Sequence, residues 1–352
     1  MLRRPNKSKQ KNWKTPSLIF ISILFTFMFV IPTVIVLPFA GGEESEVSKE
    51  AEPVVQEEKQ ANQKLVSPFD VRVLRTEEDT VEEIPLEDYV VHVVASEMPA
   101  DFELEALKAQ ALAARTYIVR FLTYEQSEDL PDSADVTDTV DHQVYKNTDE
   151  LRQIWGSDYH WKIDKIEQAV AATQGTVITY EDQPITPAFF STSNGYTENS
   201  EDYWENELPY LRAVESPWDE DISPKFLDQQ VFTSAELENK LQVSLSNQSD
   251  QFQLTRTDSQ RVDQVEIGGQ TFSGRDIREQ LGLSSNDFTI SKKNDHYVFT
   301  TKGFGHGVGM SQYGANGMAQ EGKTYDDIIA YYYKGTELNT LEQATPTLLV
   351  KK

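Results

Sequence analysis

Asp101-Phe-Glu-Leu-Glu-Ala-Leu-Lys-Ala-Gln-Ala-Leu-Ala-Ala-Arg-Thr-Tyr-Ile-Val-Arg-Phe-Leu122 is the stretch whose periodicity decides how the chain is read. Leu104, Leu107, Ala111, Ala114, Ile118, Phe121 and Leu122 recur at three- and four-residue spacing, which predicts a helix with one apolar face and Asp101 as its N-cap. Immediately upstream, Tyr89-Val-Val-His-Val-Val-Ala-Ser96 is an apolar run that ends on Glu97-Met-Pro99. Further upstream, from Phe69, Val71 and Val73 alternate with Arg72 and Arg75 in the manner of a half-buried strand.

Downstream the pattern keeps changing. A short helical segment from about Ile163 stops at Gly175, and the β-branched runs Thr176–Tyr180 and Thr186–Phe190 predict a hairpin. Residues Asp219–Gln260 are polar and weakly patterned, with a helix from Ser234, and predict a peripheral insertion. A strand over Arg261–Ile267, a helix over Gly274–Leu281, a strand over Tyr297–Thr301 and a last helix over Thr324–Tyr333 complete a mixed α+β class without internal repeats. Before that last helix lies Gly303-Phe-Gly-His-Gly-Val-Gly-Met-Ser-Gln-Tyr-Gly-Ala315. Its four alternating glycines predict backbone at positive φ or close approach of a ligand, and it matches neither nucleotide-binding glycine motif.

The N-terminal end bears on the compartment. Ser17–Ala40 is uncharged and rich in Leu, Ile, Val and Phe; as a helix it would be about 36 Å long, enough for a hydrocarbon core of about 30 Å. Six Lys and Arg precede it with no acid among residues 1–16, so the positive-inside rule predicts a cytoplasmic tail, a single-pass anchor and an extracytoplasmic remainder. A cleaved signal peptide is the alternative, opposed by the length of the apolar stretch and by Pro38-Phe39-Ala40, which lacks a small-x-small cleavage pattern. Residues 41–66 hold seven Glu and three Lys with few large apolar groups, the composition of a solvated stalk. A folded domain is then expected over residues 67–340, and residues 341–352 as a C-terminal tail.

Composition removes several function classes. The chain of 352 residues carries a net charge of −26, and no basic stripe is present to neutralise a phosphate backbone, so nucleic acid is not an expected partner. Zero cysteines exclude disulfides and thiolate metal sites. The five histidines show no ligand spacing, so no metal or other cofactor is expected.

Chemistry must therefore come from carboxylates, hydroxyls and histidine. Glu97, at the end of an apolar run, is the candidate general acid, because partial desolvation raises a carboxyl pKa toward neutrality; capping of neighbouring backbone is the other reading of it. Lys108 and Arg115, seven residues apart on the long helix, either reach solvent or hold an anionic group. Ser191-Thr192-Ser193-Asn194 offers hydroxyls and an amide for sugar recognition or is an ordinary turn. Tyr203, Trp204, Tyr210 and Trp218 are either core or stacking surfaces for sugar rings.

Six segments in order, Ile84–Val90, Ala95–Pro99, Glu105–Tyr117, Phe190–Asn199, Pro209–Arg212 and the glycine stretch, resemble the stage II sporulation protein D family. The resemblance runs from about Asp70 to Leu338 and fits the anchor and stalk. It implies a lytic transglycosylase that cuts the β-1,4 bond between N-acetylmuramic acid and N-acetylglucosamine in peptide-stripped peptidoglycan strands, leaving 1,6-anhydro ends, during engulfment in sporulation. Glu97 falls on the family's catalytic glutamate. Lys108 and Arg115 would bind the lactyl carboxylate exposed by stripping, and His306, Ser311 and Gln312 would shape the cleft wall.

The family also implies a membrane-anchored amidase and a multispanning protein as partners, resembling stage II sporulation proteins P and M. A related group of amidase enhancers keeps a second reading open, a non-catalytic wall-binding module. Some relatives carry a Cys/His metal site where this sequence reads Asp138-Thr-Val-Asp-His-Gln-Val-Tyr145, so no structural zinc is expected. Asn194 and Tyr196 stand where the family more usually has Gly and Arg.

Overall fold

The computed structural model describes residues 65–125, 130–131, 133–204, 206–245 and 252–351. The expected cytoplasmic tail, the membrane helix over residues 17–40 and nearly all of the stalk lie outside them. Among the described residues no helix is long and apolar enough to cross a membrane. The architecture is mixed α+β, with two hydrophobic cores and several small sheets.

Strand Asp70–Arg75 pairs antiparallel with Thr80–Pro85 and, along its other edge, parallel with Val136–Thr137. Its buried positions alternate, Val71 and Val73 facing the main core, as a one-faced sheet requires. The apolar run then forms helix α1 (Leu86–Glu97), and the long periodic segment forms helix α2 (Leu104–Tyr124). The N-cap of α2 is Glu103 and makes no side-chain cap bond, so the cap expected at Asp101 does not form. Helix α3 (Thr148–Trp155) begins with a capping box on Asn147, and α4 (Tyr159–Ala172) follows after one 3₁₀ turn. Helices α1, α2 and α4 pack on one another, and their buried Val, Leu, Ile and Ala side chains supply most of the main core.

The expected hairpin is not formed. Thr176–Tyr180 pairs instead with Gln183–Pro184 and with Glu337–Thr340 near the C-terminus. Only Phe189–Phe190 of the second run is extended, and it pairs parallel with Met310–Ser311 of the glycine stretch. Residues 341–351 are not a free tail either: they form two short helices, and Leu341 and Leu348 are buried in the main core.

A second core gathers Phe232, Leu237, Leu241, Val262, Val265, Ile267, Ile277, Leu281, Phe288, Tyr297 and Phe299. Its frame is the sheet of Leu227–Thr233, His296–Lys302 and Phe288–Lys293, the smaller sheet of Leu254–Arg256, Val262–Ile267 and Gln270–Ser273, and the helices Ser234–Leu241 and Gly274–Leu281. The insertion expected over residues 219–260 therefore starts later and extends further, from Leu227 to Lys302. Helix Trp218–Ile222 belongs to the main body, where Asp219 is fully buried.

Candidate functional site

Glu97 is the last residue of α1, and local backbone chemistry stops the helix there. Pro99 disfavours helical geometry at the residue before it, and Met98 is extended at φ −126° and ψ 137°. The Glu97 side chain thus stands at the helix end and lines a cavity of about 390 Å³ together with Ser96, Pro99, Asp101, Lys146, Trp155, Lys162, Ser191, Lys225, Gln312 and Tyr313. Burial pushes the Glu97 carboxyl above the ordinary glutamate value of 4.5, opposed by the Val144 backbone and the charge of Lys146. The negative end of the α1 dipole acts in the same direction as burial. Asp101 is the other acid on the cavity, and it is exposed.

Another part of the wall, adjoining the end of α1, is the start of helix Gln312–Gln320. Gln312 Nε2 donates to the Glu97 carbonyl at 3.1 Å and to Gln110 Oε1 at 3.3 Å. The neighbouring Tyr313 packs edge-on against Phe102 at 4.8 Å and donates its N–H to the Ser191 carbonyl at 3.1 Å. Of the predicted site residues, Glu97, Ser191 and Gln312 meet on this cavity.

The others are elsewhere. Arg115 is fully buried in a bidentate pair with Glu87, Nη2 to Oε2 at 2.6 Å and Nε to Oε1 at 3.0 Å. Its remaining N–H groups reach Thr173 Oγ1 and the carbonyls of Val170 and Thr176. This corrects the expectation that Arg115 holds a substrate anion: its donors are used inside the fold, out of reach of solvent. Lys108 donates to Glu105 at 2.6 Å and lies over the Tyr325 ring, outside the cavity lining.

Thr192 and Ser193 are buried and hydrogen-bonded to Ser223 and to the Ser216 carbonyl. Asn194 Nδ2 bridges to the Ser259 carbonyl and Asp287 of the insertion, each at 2.9 Å. Tyr210 is buried with its hydroxyl accepting the Thr186 N–H. Ser311 donates to Asp219, a buried carboxylate that also accepts from Ser216 Oγ and the Ser193 N–H. Burial outweighs these bonds and raises the Asp219 pKa. None of these five side chains lines the cavity, and their polar groups are engaged within the fold.

His306 is likewise off the cavity, its ring 5.3–5.7 Å from those of Phe190, Tyr203 and Trp204. Burial, then the charges of Arg278 and Arg261, pull its pKa down to about 3. It is therefore neutral, with Nδ1 accepting the Val308 N–H at 3.1 Å. The glycines around it do adopt positive φ, from +79° to +116°, as the sequence predicts. What approaches them is the protein itself: a Cβ on Gly309 would stand 2.0 Å from the Ala188 carbonyl, and one on Gly307 2.4 Å from the guanidinium of buried Arg261.

Sequence reasoning missed the cations. Lys146, Lys162 and Lys225 all line the cavity and come from separate segments with no shared motif. Lys146 is delivered by a loop pinned at Tyr145, which is buried, stacks on Tyr89 at 5.8 Å and lies under Arg75. Arg75 in turn binds Asp138 and Glu150 at 2.9 and 2.7 Å. The available signal was Trp155-Gly-Ser-Asp-Tyr-His-Trp161-Lys162, aromatic residues beside a cation at a helix start. Among the described residues no group of three or more His, Asp or Glu side chains is arranged to hold a metal ion.

Comparison with known proteins agrees with the segments that carry the resemblance. Residues 75–180 match the family model described as stage II sporulation protein. The chain is 48% identical to stage II sporulation protein D of Bacillus subtilis (strain 168) across 95% of this chain and 98% of that protein. It is 46% identical to stage II sporulation protein D of Bacillus amyloliquefaciens across 96% and 99%. A more distant relative, 29% identical across 70% of this chain and 40% of its own length, is the amidase enhancer of Bacillus subtilis (strain 168). With identity of that order sustained along nearly the whole of both chains, this protein belongs to the stage II sporulation protein D family.

Proposed function

We propose that the chain is a lytic transglycosylase of peptide-stripped peptidoglycan, acting in sporulation, with Glu97 as its acid and then its base. The observation that carries this reading is a part-buried glutamate of raised pKa at the end of α1, facing a polar, lysine-lined cavity. Such a carboxyl keeps its proton closer to neutral pH than an exposed one, as a general acid must.

The reaction balances with that one group. Protonated Glu97 gives its proton to the glycosidic oxygen as the bond from the muramic anomeric carbon to that oxygen breaks. The resulting carboxylate takes the proton of the same residue's 6-hydroxyl as its oxygen bonds to the anomeric carbon. The product is a 1,6-anhydro end; no water is consumed and Glu97 is reprotonated. A hydrolase normally needs a second carboxylate, and Asp101 is the acid on the cavity that would have to fill that role.

The N-terminal sequence supports a single-pass membrane protein with its catalytic domain outside. The relative named amidase enhancer supports a second reading, a wall-binding module that recruits or stimulates an amidase, and partners resembling stage II sporulation proteins P and M fit either. The deciding experiment is mass spectrometry of soluble products from stripped glycan strands incubated with the full chain and with Glu97→Gln. Anhydro ends from wild type alone are expected. Reducing ends lost in Asp101→Asn would replace the transglycosylase with a hydrolase, and amidase stimulation that survives Glu97→Gln without any cleavage would favour the module.

A further inference from the structure

We propose that Lys162 and Lys225, each held over an aromatic ring at the border of the Glu97 cavity, are the residues that select carboxylate-bearing sugars on the strand. This rests on the glycan-strand reading above and names the part of the site that reads the strand's charge.

The two lysines lie 63 residues apart in the chain. Lys162, in the first turn of α4, places its ammonium 5.7 Å from the Trp155 ring and 5.4 Å from the Trp161 ring. Trp161 is 43% exposed and Trp155 lines the cavity. Lys225, just before the insertion, lies 4.8 Å from the Phe304 ring, which is 40% exposed. Each ammonium covers one face of its ring, and the exposed remainder of Trp161 and of Phe304 is apolar surface bordering a cation. A pyranose ring stacks on such a surface through its C–H groups, and an acidic substituent on that ring meets the ammonium beside it.

The local charge is out of keeping with the whole. The protein carries −26, yet three lysines and two acids line this cavity. Lys225, which forms no ion pair with an acid among the described residues, and Lys162, whose one acid, the exposed Asp158, stands at 4.0 Å, are available to an anion from outside. Arg115 and Lys108, the cations expected to do this from sequence, are committed to Glu87 and Glu105. Lys146, the third lysine on the cavity, acts on the Glu97 charge and is assigned no share in selection.

The test uses binding, so that it does not depend on cleavage. The full chain carrying Glu97→Gln is titrated with peptide-stripped strands that keep their lactyl carboxylates and with the same strands converted to N-methylamides. The charged strands should bind at least about tenfold more tightly, and adding Lys162→Gln or Lys225→Gln should each reduce that preference about fivefold, the effect of one exposed ion pair. Affinity for the amidated strands should stay the same in both. Lys240→Gln, on the exposed surface of the insertion, should change neither affinity. Equal binding of the two strands, or a preference that survives both lysine substitutions, would overturn the assignment while leaving the glycan reading intact. No binding to either strand would overturn the glycan reading and this assignment with it.

Discussion

Replacing Arg115 by Ala tests whether this arginine belongs to the fold or to the substrate. Its side chain and that of Glu87 are both 0% exposed, and Glu87 Oε1 also accepts the Gly175 N–H at 3.1 Å. Deleting the guanidinium leaves a carboxylate in the main core with that one donor, and also removes one hydrogen bond each from Thr173 Oγ1 and the carbonyls of Val170 and Thr176. Breaking a buried pair from one side costs about 3–5 kcal/mol, and at about 2–3 °C per kcal/mol for a domain of this size Tm should fall by about 6–15 °C. Differential scanning calorimetry of the full chain measures this. The double variant Arg115→Met, Glu87→Gln removes both charges and should recover most of the loss, because a neutral pair of similar volume requires no ionic desolvation. Strand cleavage should recover with it. A Tm within about 1 °C of wild type in Arg115→Ala, with cleavage abolished, would refute the reasoning and return Arg115 to the substrate.

Glu97→Gln should raise Tm at pH 7. The folded-state pKa of Glu97 is raised, so the protonated form favours the fold below the ordinary value of 4.5 and that advantage is lost as pH climbs through the folded value. The thermal gain from Gln should therefore vanish when melts are repeated below pH 4.5. Lys146→Gln removes a charge that holds the Glu97 pKa down, so the alkaline limb of the cleavage profile should move to higher pH, and an unmoved limb would detach Glu97 from the acid role. Gly309→Ala and Gly322→Ala share a φ near +80°, but the new Cβ meets the Ala188 carbonyl in one and nothing within 4 Å in the other. Chemical denaturation should show about 1 kcal/mol lost at Gly322 and about 2–4 kcal/mol at Gly309, the difference being steric overlap.

Features governed by a short sequence window were legible. The three- and four-residue spacing of Leu104, Leu107, Ala111 and Ala114 marked α2 to within two residues at each end, whereas the run Tyr89–Ser96 was legible only as apolar, and the structure shows it to be a helix that ends at Glu97. The capping boxes at Thr233, Ser273 and Thr324 are likewise four-residue signals. What failed were pairings between distant segments. Phe189–Phe190 pairs with Met310–Ser311 more than a hundred residues away, and β-branched composition says nothing of which edge a strand will join. Arg115 and Glu87, 28 residues apart, lie on different helices, so neither residue alone announces a buried pair. The three cavity lysines are isolated in sequence, and only the folded chain brings them together.

The glycine stretch also has a different role from the one its composition suggests. Four residues at positive φ could line a cleft, yet none of Gly303, Gly305, Gly307 and Gly309 reaches the cavity. They let the chain run in van der Waals contact with Ala188, Phe190, Thr192 and Arg261, where any side chain would force the segment outward. That close packing fixes Met310–Ser311 beside Phe189–Phe190, and Ser311 on Asp219 caps the following helix through the Gly314 N–H. Gln312 is the first residue of that helix, and its amide holds the Glu97 carbonyl. Asn194 and Arg261 tie the same region to the insertion. One path from insertion to α1 thus runs through Gln312, and the glycines serve the site by bringing that side chain to the end of α1.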